Sequence, residues 1–217
     1  MDFNNNKSIL LISNPYLKGN DPNNIYFPDT IVYLKNYLCI NLKDIDVKTF
    51  YFYGERNLQI INRPEKKKIG TYIIDKLFLH LKLNSNKYER LYETFNEQTN
   101  WLYSLSSEEA WRIKPLILSL ESAKEKIVKI IGENKIKIVG FSNSFSSTLV
   151  SLYFATMLRH MFKDIIVIFG GADFNEIAYA ELLLKIFPNI IDVIVHGDGE
   201  ETLLKLVRKY LYYEQLE

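Results

Sequence analysis

Four short polar segments carry the residue types that bind ligands or do chemistry, and each directly follows an apolar run. Their hydroxyl, amide and carboxylate groups can hydrogen-bond a ligand, and their glycines let its atoms approach the backbone closely. The segments are residues 14–22 (NPYLKGNDP), 140–147 (GFSNSFSS), 170–173 (GGAD) and 196–202 (HGDGEET). The first offers Asn14 and Tyr16, but it has neither the glycine pattern of dinucleotide binding nor that of a phosphate-binding P-loop.

The second segment is a hydroxyl-rich turn that leads from a predicted strand into a predicted helix. Ser142, Asn143 and Ser144 stand at its start. The free amides of a helix N-terminus, together with these side chains, suit amide or phosphate groups of a ligand. Capping of the helix by Ser146 or Ser147 is the simpler interpretation. A cap needs only one serine, so the four serines among residues 142–147 favour a ligand.

The third segment contains the paired glycines Gly170 and Gly171, followed by Ala172. Glycine permits a positive φ angle and the close approach of another group, because it has no Cβ atom. The pair therefore serves either a bound ligand or the turn alone, and the sequence leaves both alternatives open.

The fourth segment combines exposed backbone with carboxylates at a predicted helix start. Gly197 and Gly199 leave the main chain accessible, and Asp198 with Glu201 forms a D-x-x-E start. Acidic side chains in a first helical turn, Glu200 among them, are favoured by the helix dipole without any catalytic role. We therefore predict a binding role for this segment and no catalytic residue.

The three histidines do not form a metal site by their spacing. His80, His160 and His196 have no histidine, cysteine or carboxylate partner at the separation of metal ligands. His196 lies in the fourth segment and is the only one assigned to the candidate binding site.

Five apolar runs position these segments, and most are continuous rather than alternating. Such runs indicate strands buried on both faces, as in a parallel sheet covered by helices. Helical patterns separate them, which predicts an α/β fold: a doubly wound, flavodoxin- or Rossmann-like, five-stranded parallel sheet. The predicted strands are residues 8–13, 46–52, 136–141, 165–169 and 191–195. The predicted helices are residues 29–39, 148–161, 175–186 and 200–210.

Residues 72–132, between the second and third strands, read as successive helices without a strand. The sequence SSEE at residues 106–109 is a capping box that opens one helix, and Gly132 is expected to end another. A simple crossover needs about a dozen residues, so we predict a helical insertion packed on the sheet edge or over its carboxyl rim. The whole chain, residues 1–217, is then one domain.

Composition excludes several classes of protein. The chain has 27 Lys and Arg against 26 Asp and Glu, a net charge of +1, which argues against nucleic-acid binding. No apolar run is long enough for a membrane span, and the start does not have the pattern of a signal peptide, so we expect a cytoplasmic protein. The single cysteine, Cys39, excludes an internal disulfide and an iron–sulfur cluster held by this chain.

Three segments, in this order, resemble the N-terminal cobalamin-binding domain of radical S-adenosylmethionine enzymes, closest to the branch that matures ribosomally made peptides. They are residues 138–142 (IVGFS), 167–172 (VIFGGA) and 192–203 (DVIVHGDGEETL). The family pattern G-E-G-E-x-T-L has Asp198 in place of its first glutamate here. The similarity is confined mainly to residues 136–207.

The resemblance implies a corrinoid site on this chain and a catalytic barrel elsewhere. The D-x-H-x-x-G motif is missing, so cobalamin would bind without a histidine ligand, and cobalamin-free relatives also exist. The C-x-x-x-C-x-x-C motif of the barrel is absent, which implies a radical S-adenosylmethionine partner, a peptide substrate and no catalysis by this chain alone. The implied cofactor-binding residues are Asn14, Tyr16, Ser142, Asn143, Ser144, Gly170, Gly171, Ala172, His196, Gly197, Gly199 and Glu200.

Two alternatives remain open. One is a cofactor-free, Rossmann-like interaction module that grips a peptide or partner enzyme through the aromatic residues of the insertion. These are Tyr88, Tyr92, Trp101, Tyr103 and Trp111. The other is a small flavodoxin-like enzyme, which no acid–base pair or nucleophile supports. An open rim at the carboxyl ends of the strands favours the cofactor, and a covered rim favours the interaction module.

Overall fold

The computed structural model describes residues 7–13, 16–17, 25–26, 30–52, 107–143 and 148–213. The strands are β1 (Lys7–Ser13), β2 (Tyr16–Leu17), β3 (Ile25–Tyr26), β4 (Ile45–Tyr51), β5 (Ile138–Ser142), β6 (Ile166–Gly170) and β7 (Val193–Ile194). The helices are α1 (Thr30–Asn41), α2 (Ser107–Asn134), α3 (Thr148–Met161), α4 (Ile177–Ile186) and α5 (Glu200–Leu211), with a 3₁₀ turn at Ala172–Phe174.

Five of the strands form one parallel sheet in the order β4-β1-β5-β6-β7. From β1 the chain passes to the edge strand β4. It then crosses back over β1 to β5, and β6 and β7 follow on that side of the sheet. The doubly wound fold predicted from the apolar runs is therefore confirmed. The order reverses between β1 and β5, which is the topological switch point where sheets of this type bind ligands. The short strands β2 and β3 form a separate antiparallel pair.

Each face of the sheet has its own hydrophobic core, because successive side chains of a strand point to opposite faces. Leu10 and Ile12 belong to the core formed with α2, α3 and α4. Ile9 and Leu11 belong to the core formed with α1 and α5. Burial on both faces is the reason that these strands are nearly continuous apolar runs.

Most predicted element boundaries agree with the structure to within two residues. Helix α3 has the predicted bounds, whereas α4 begins later than predicted, at Ile177, because a 3₁₀ turn precedes it. The last strand is shorter than predicted. Its pairing is limited to Val193 and Ile194, while Ile191 is buried as part of the preceding turn.

Helix α2 corrects the predicted end of the insertion. The chain passes through Gly132 in helical conformation and stops after Asn134. Lys135 takes the left-handed conformation, with φ 50°, and the Ile136 amide donates to the Ile131 carbonyl at 3.1 Å. This hydrogen bond defines a Schellman cap, and both isoleucines lie in the core beneath α2. The contact between Ile131 and Ile136 determines where the helix ends. Lys135 therefore occupies the left-handed position at which glycine is usual.

The C-terminal half of α2 also corrects the predicted location of the insertion. Leu120, Ala123 and Ile127 are buried in the core on the α2–α3–α4 face of the sheet. This half is therefore the crossover helix itself, and it packs on a face rather than on an edge or over the rim. Residues 72–106 lie outside the described part of the chain.

An ion pair ties the end of α3 to the sheet. The Arg159 guanidinium donates to the Asp192 carboxylate and to the carbonyl of Ile165. The same carboxylate oxygen accepts a hydrogen bond from the amide of Val167 at 2.7 Å. Asp192 thus connects a helix, the start of β6 and the segment before β7, so this residue of the fifth predicted strand has a structural role.

We expect Asp192→Ala to lower the free energy of unfolding by about 1–3 kcal/mol, because the Val167 amide and Arg159 lose their shared acceptor. Urea denaturation measures the change. Asp164→Ala is the matched control, since Asp164 is exposed in a nearby turn, and it should shift stability by less than about 0.5 kcal/mol. Equal effects of the two substitutions would contradict the structural role of Asp192.

Candidate functional site

A cleft of about 200 Å³ lies at the topological switch point, between the sheet and helices α1 and α5. Its floor is formed by the carboxyl halves of β1, β5 and β6. Its walls come from the first turn of α1, from Val195 after β7, and from the start of α5. The cleft therefore lies where the sheet topology predicts a ligand site.

Small residues on one face of two adjacent strands create the space. Gly140, Ser142 and Gly170 line the cleft, while Val139 and Phe169, which precede the two glycines, are buried in the core on the opposite face. A Cβ atom on Gly140 would lie 3.0 Å from a methyl group of Leu11, and one on Gly170 would lie 3.6 Å from Cβ of Val195. Larger side chains at these positions would fill the cleft.

The walls are apolar and the mouth is acidic. Ile31 and Leu34 of α1 face Leu203 of α5 across the cleft, while Asp198 and Glu200 line it at the start of α5. The described lining contains no lysine or arginine. A ligand of this cleft therefore needs an apolar body, and hydrogen-bond donors at the mouth would find carboxylate acceptors.

The start of α5 differs from the D-x-x-E arrangement expected from the sequence. Gly199 is the N-cap residue, and no side chain caps the helix. Asp198 precedes the cap and lines the cleft instead. The carboxylate is thus available to a ligand rather than used by the first turn of the helix.

The two consecutive glycines after β6 have different roles. Gly171 has φ 105°, and a Cβ atom there would lie 2.8 Å from the Asn143 amide nitrogen and closer still to the Asn143 carbonyl oxygen. The amide of Asn143 donates to the carbonyl of Gly170 at 2.7 Å, so the two strand ends are tightly joined. Gly171 is therefore required by the backbone, whereas Gly170 leaves room in the cleft. The turn thus accounts for Gly171, and a ligand contact at Gly170 stays a prediction.

The structure brings half of the predicted binding residues together around the cleft. The lining includes Ser142, Gly170, Gly171, Gly197, Gly199 and Glu200. Asn14 and Ser144 lie outside the described residues, and Tyr16 is described only as part of the backbone of β2.

Three other predicted residues lie near the cleft but do not line it. Asn143 is fully buried, and its Nδ2 donates to the carbonyl of Phe141 at 3.2 Å. Ala172 is exposed in the 3₁₀ turn. The exposed ring of His196 donates from Nε2 to the carbonyl of Asn175 at 2.9 Å. The histidine thus fixes the loop before α4.

Sequence reasoning missed the residues contributed by α1 and the inner floor. Thr30, Tyr33 and Leu34 line the cleft together with Gly140 and Leu11. The alternation of Gly140 and Ser142 along β5 was a usable signal, because two small residues two apart on a buried strand leave space on one face. The contribution of α1 had no comparable signal in the sequence.

No group of the described cleft is arranged for acid–base catalysis. Outside the cleft lining, the Thr148 hydroxyl donates to the Asp173 carboxylate at 2.9 Å, and Tyr179 lies beside this pair. Burial raises the pKa of the Tyr179 hydroxyl, the Asp173 charge raises it further, and a hydrogen bond with Thr148 opposes the shift. Tyr179 is therefore protonated at neutral pH and is not a base. The described residues include no cluster of three or more metal-ligating side chains.

The described residues form a doubly wound α/β fold of flavodoxin-like strand order with a cleft at its switch point. Comparisons with protein-family models, curated proteins and solved structures give no match. Within the described residues, no helix has the length and apolar character needed to cross a bilayer.

We expect the glycines of this site to tolerate alanine very differently. Gly171→Ala should lower the free energy of unfolding by about 3 kcal/mol or more, because it combines a positive φ with a backbone clash. Gly197→Ala is the matched control: its φ of 73° is also positive, but its Cβ would meet nothing within 4 Å. It should cost about 1 kcal/mol. Thermal and urea unfolding measure both changes, and equal losses would argue against the close packing of Gly171 on Asn143.

Proposed function

We propose that this chain is a cobalamin-binding accessory domain that works with a radical S-adenosylmethionine enzyme in the modification of peptides. The proposal combines the resemblance of residues 136–207 with the position of the cleft. The segments that carry the resemblance supply Ser142, Gly170, Gly197 and Glu200, and all four residues line one cleft.

The observation that carries the proposal is the small-residue floor at the switch point. Gly140, Ser142 and Gly170 leave space on the face where a doubly wound sheet is normally filled by large apolar side chains. The cleft has apolar walls and few polar groups, which is the usual character of a cofactor site. The residues present thus fit a bulky, largely uncharged cofactor with amide groups at its edge.

The size of the cleft limits what enters it. Its volume of about 200 Å³ is below the roughly 300–1,000 Å³ of sites that enclose a whole drug-sized ligand. The cleft is too small for a corrin macrocycle and would take only a smaller part of cobalamin, such as the flat heterocycle of its nucleotide tail. Residues of α1 and α5 would hold that part, and Asp198 and Glu200 at the mouth would accept hydrogen bonds from amide groups of the corrin.

The chain's own residues bind and orient the cofactor, and they do not react. Bound cobalamin would supply a cobalt centre for methyl or radical chemistry. Apolar contacts with Leu34 and Leu203 exclude water from the tail, and Ser142 offers a hydroxyl. The partner barrel would hold the iron–sulfur cluster and receive the peptide. A single cysteine in the chain agrees with a reducing, cytoplasmic setting.

We expect the purified chain to bind hydroxocobalamin at micromolar concentration and Gly170→Leu to lose that binding, because leucine would occupy the floor of the cleft. The first Cβ contact at this position is ordinary, at 3.6 Å, so the fold should persist. Gly132→Leu is the matched control, since its Cβ would meet nothing within 4 Å on α2. Visible absorption titration followed by gel filtration measures binding, and far-UV circular dichroism measures folding.

Absence of corrinoid binding by the folded wild-type chain would overturn the proposal in favour of the cofactor-free interaction module. The features that would support that module fall largely outside the described residues. These are Tyr88, Tyr92, Trp101, Tyr103 and parts of the loops that follow β1 and β5. Trp111 lies in α2, where its side chain is not described. Wild-type binding that is unchanged by Gly170→Leu would instead show that the corrinoid binds somewhere other than this cleft.

A further inference from the structure

Ser13, the last residue of β1, lies in the same row of the sheet as two residues of the cleft floor. It pairs in register with Ser142, which pairs in register with Gly170. Ser13 follows Leu11 by two residues, so both side chains point to the α1–α5 face of the sheet. Ser13 lies beside Ser142 at the outer end of the floor, although it is not itself among the residues that line the cleft.

The hydroxyl of Ser13 is buried without a partner in the described structure. The residue is 1% exposed, and its Oγ has no hydrogen bond. Its backbone is fixed, because the Phe52 amide donates to the Ser13 carbonyl at 3.0 Å. A buried hydroxyl without a hydrogen bond destabilises the folded chain relative to alanine at the same position. The described fold therefore gains no hydrogen bond from this hydroxyl.

We propose that Ser13 binds the ligand of the cleft, and that its hydroxyl hydrogen-bonds a polar atom on the edge of the group that enters. Together with Ser142 on the adjacent strand, it makes the outer row of the floor polar, whereas Leu11, Gly140 and Ile168 make the inner row apolar. The inference rests on the proposed function only for the identity of the ligand.

This arrangement specifies a class of ligand group. The inner floor and walls suit a flat apolar ring, and the two serine hydroxyls suit an oxygen or nitrogen atom at the ring edge or on an attached sugar. The nucleoside portion of the cobalamin tail has both parts. An unsubstituted apolar ring would leave the Ser13 hydroxyl without a partner and should bind more weakly.

Ser8 provides a matched control on the same strand. It is also fully buried, and its Oγ also has no hydrogen bond. It lies near the opposite end of β1, and its side chain points to the opposite face, with Leu10 and Ile12. Ser8→Ala and Ser13→Ala thus make the same chemical change at equal burial, but only Ser13 lies beside the cleft floor.

The experiment measures the affinity of wild type, Ser13→Ala and Ser8→Ala for three probes. These are hydroxocobalamin, cobinamide (the corrin without the nucleotide) and α-ribazole (the nucleoside of the tail). We expect Ser13→Ala to weaken hydroxocobalamin and α-ribazole binding about 5- to 10-fold and to leave cobinamide binding unchanged. Ser8→Ala should change none of them. Without ligand, both variants should be at least as stable as wild type by urea denaturation.

The remaining outcomes separate this inference from the proposed function. Wild-type binding of hydroxocobalamin with no loss in Ser13→Ala overturns the role of Ser13 and leaves the function standing. An equal loss for cobinamide overturns it too, because the effect would not depend on the tail. Binding of α-ribazole that depends on Ser13, without corrinoid binding, supports the inference and overturns the function. Binding of no probe overturns both.

Discussion

The in-register pairing of β1, β5 and β6 is the constraint on which the candidate site depends. Because side chains alternate between the two faces of a strand, register decides that Gly140, Ser142 and Gly170 lie together on the α1–α5 face. A slip of one residue in β5 would turn Val139 and Phe141 toward the cleft and fill it. It would also leave a void beneath α3, where both side chains are now buried. Packing on the opposite face thus maintains the open floor.

The fold was largely predictable because its strands are buried on both faces, and continuous apolar runs of that kind are visible in a sequence. The end of α2 was not predicted correctly, because side-chain packing outweighed the usual preference for glycine at a helix end. Glycine is the usual residue at a left-handed helix end, yet Lys135 adopts that conformation, at a cost of about 1 kcal/mol. Burial of Ile136 against Ile131 offsets this cost. Ile131 and Ile136 are only five residues apart, so this pairing was a local signal that the expectation of glycine at the helix end overlooked.

The site was predictable only in part, for a different reason. The segments after β5, β6 and β7 stand out by composition, and half of the residues assigned to the site do line the cleft. Ser13 and the first turn of α1 do not stand out, because their proximity to Ser142 follows from strand order and register. Sequence separates β1 from β5 by more than a hundred residues, whereas the sheet makes them neighbours.

The contrast between Gly170 and Gly171 shows why a motif alone does not distinguish binding from folding. Gly171 is needed for the close approach of the Asn143 backbone, so it would be required with or without a ligand. Gly140 is closely packed too, since a Cβ atom there would lie 3.0 Å from Leu11. Gly170 and the buried hydroxyl of Ser13 have no such explanation, because a Cβ on Gly170 would make only ordinary contacts and the Ser13 hydroxyl has no hydrogen bond. Features that lower stability persist where function requires them. A small-residue floor and a buried hydroxyl without a partner, in the same row of the sheet, are together better explained by a bound group than by the needs of the fold.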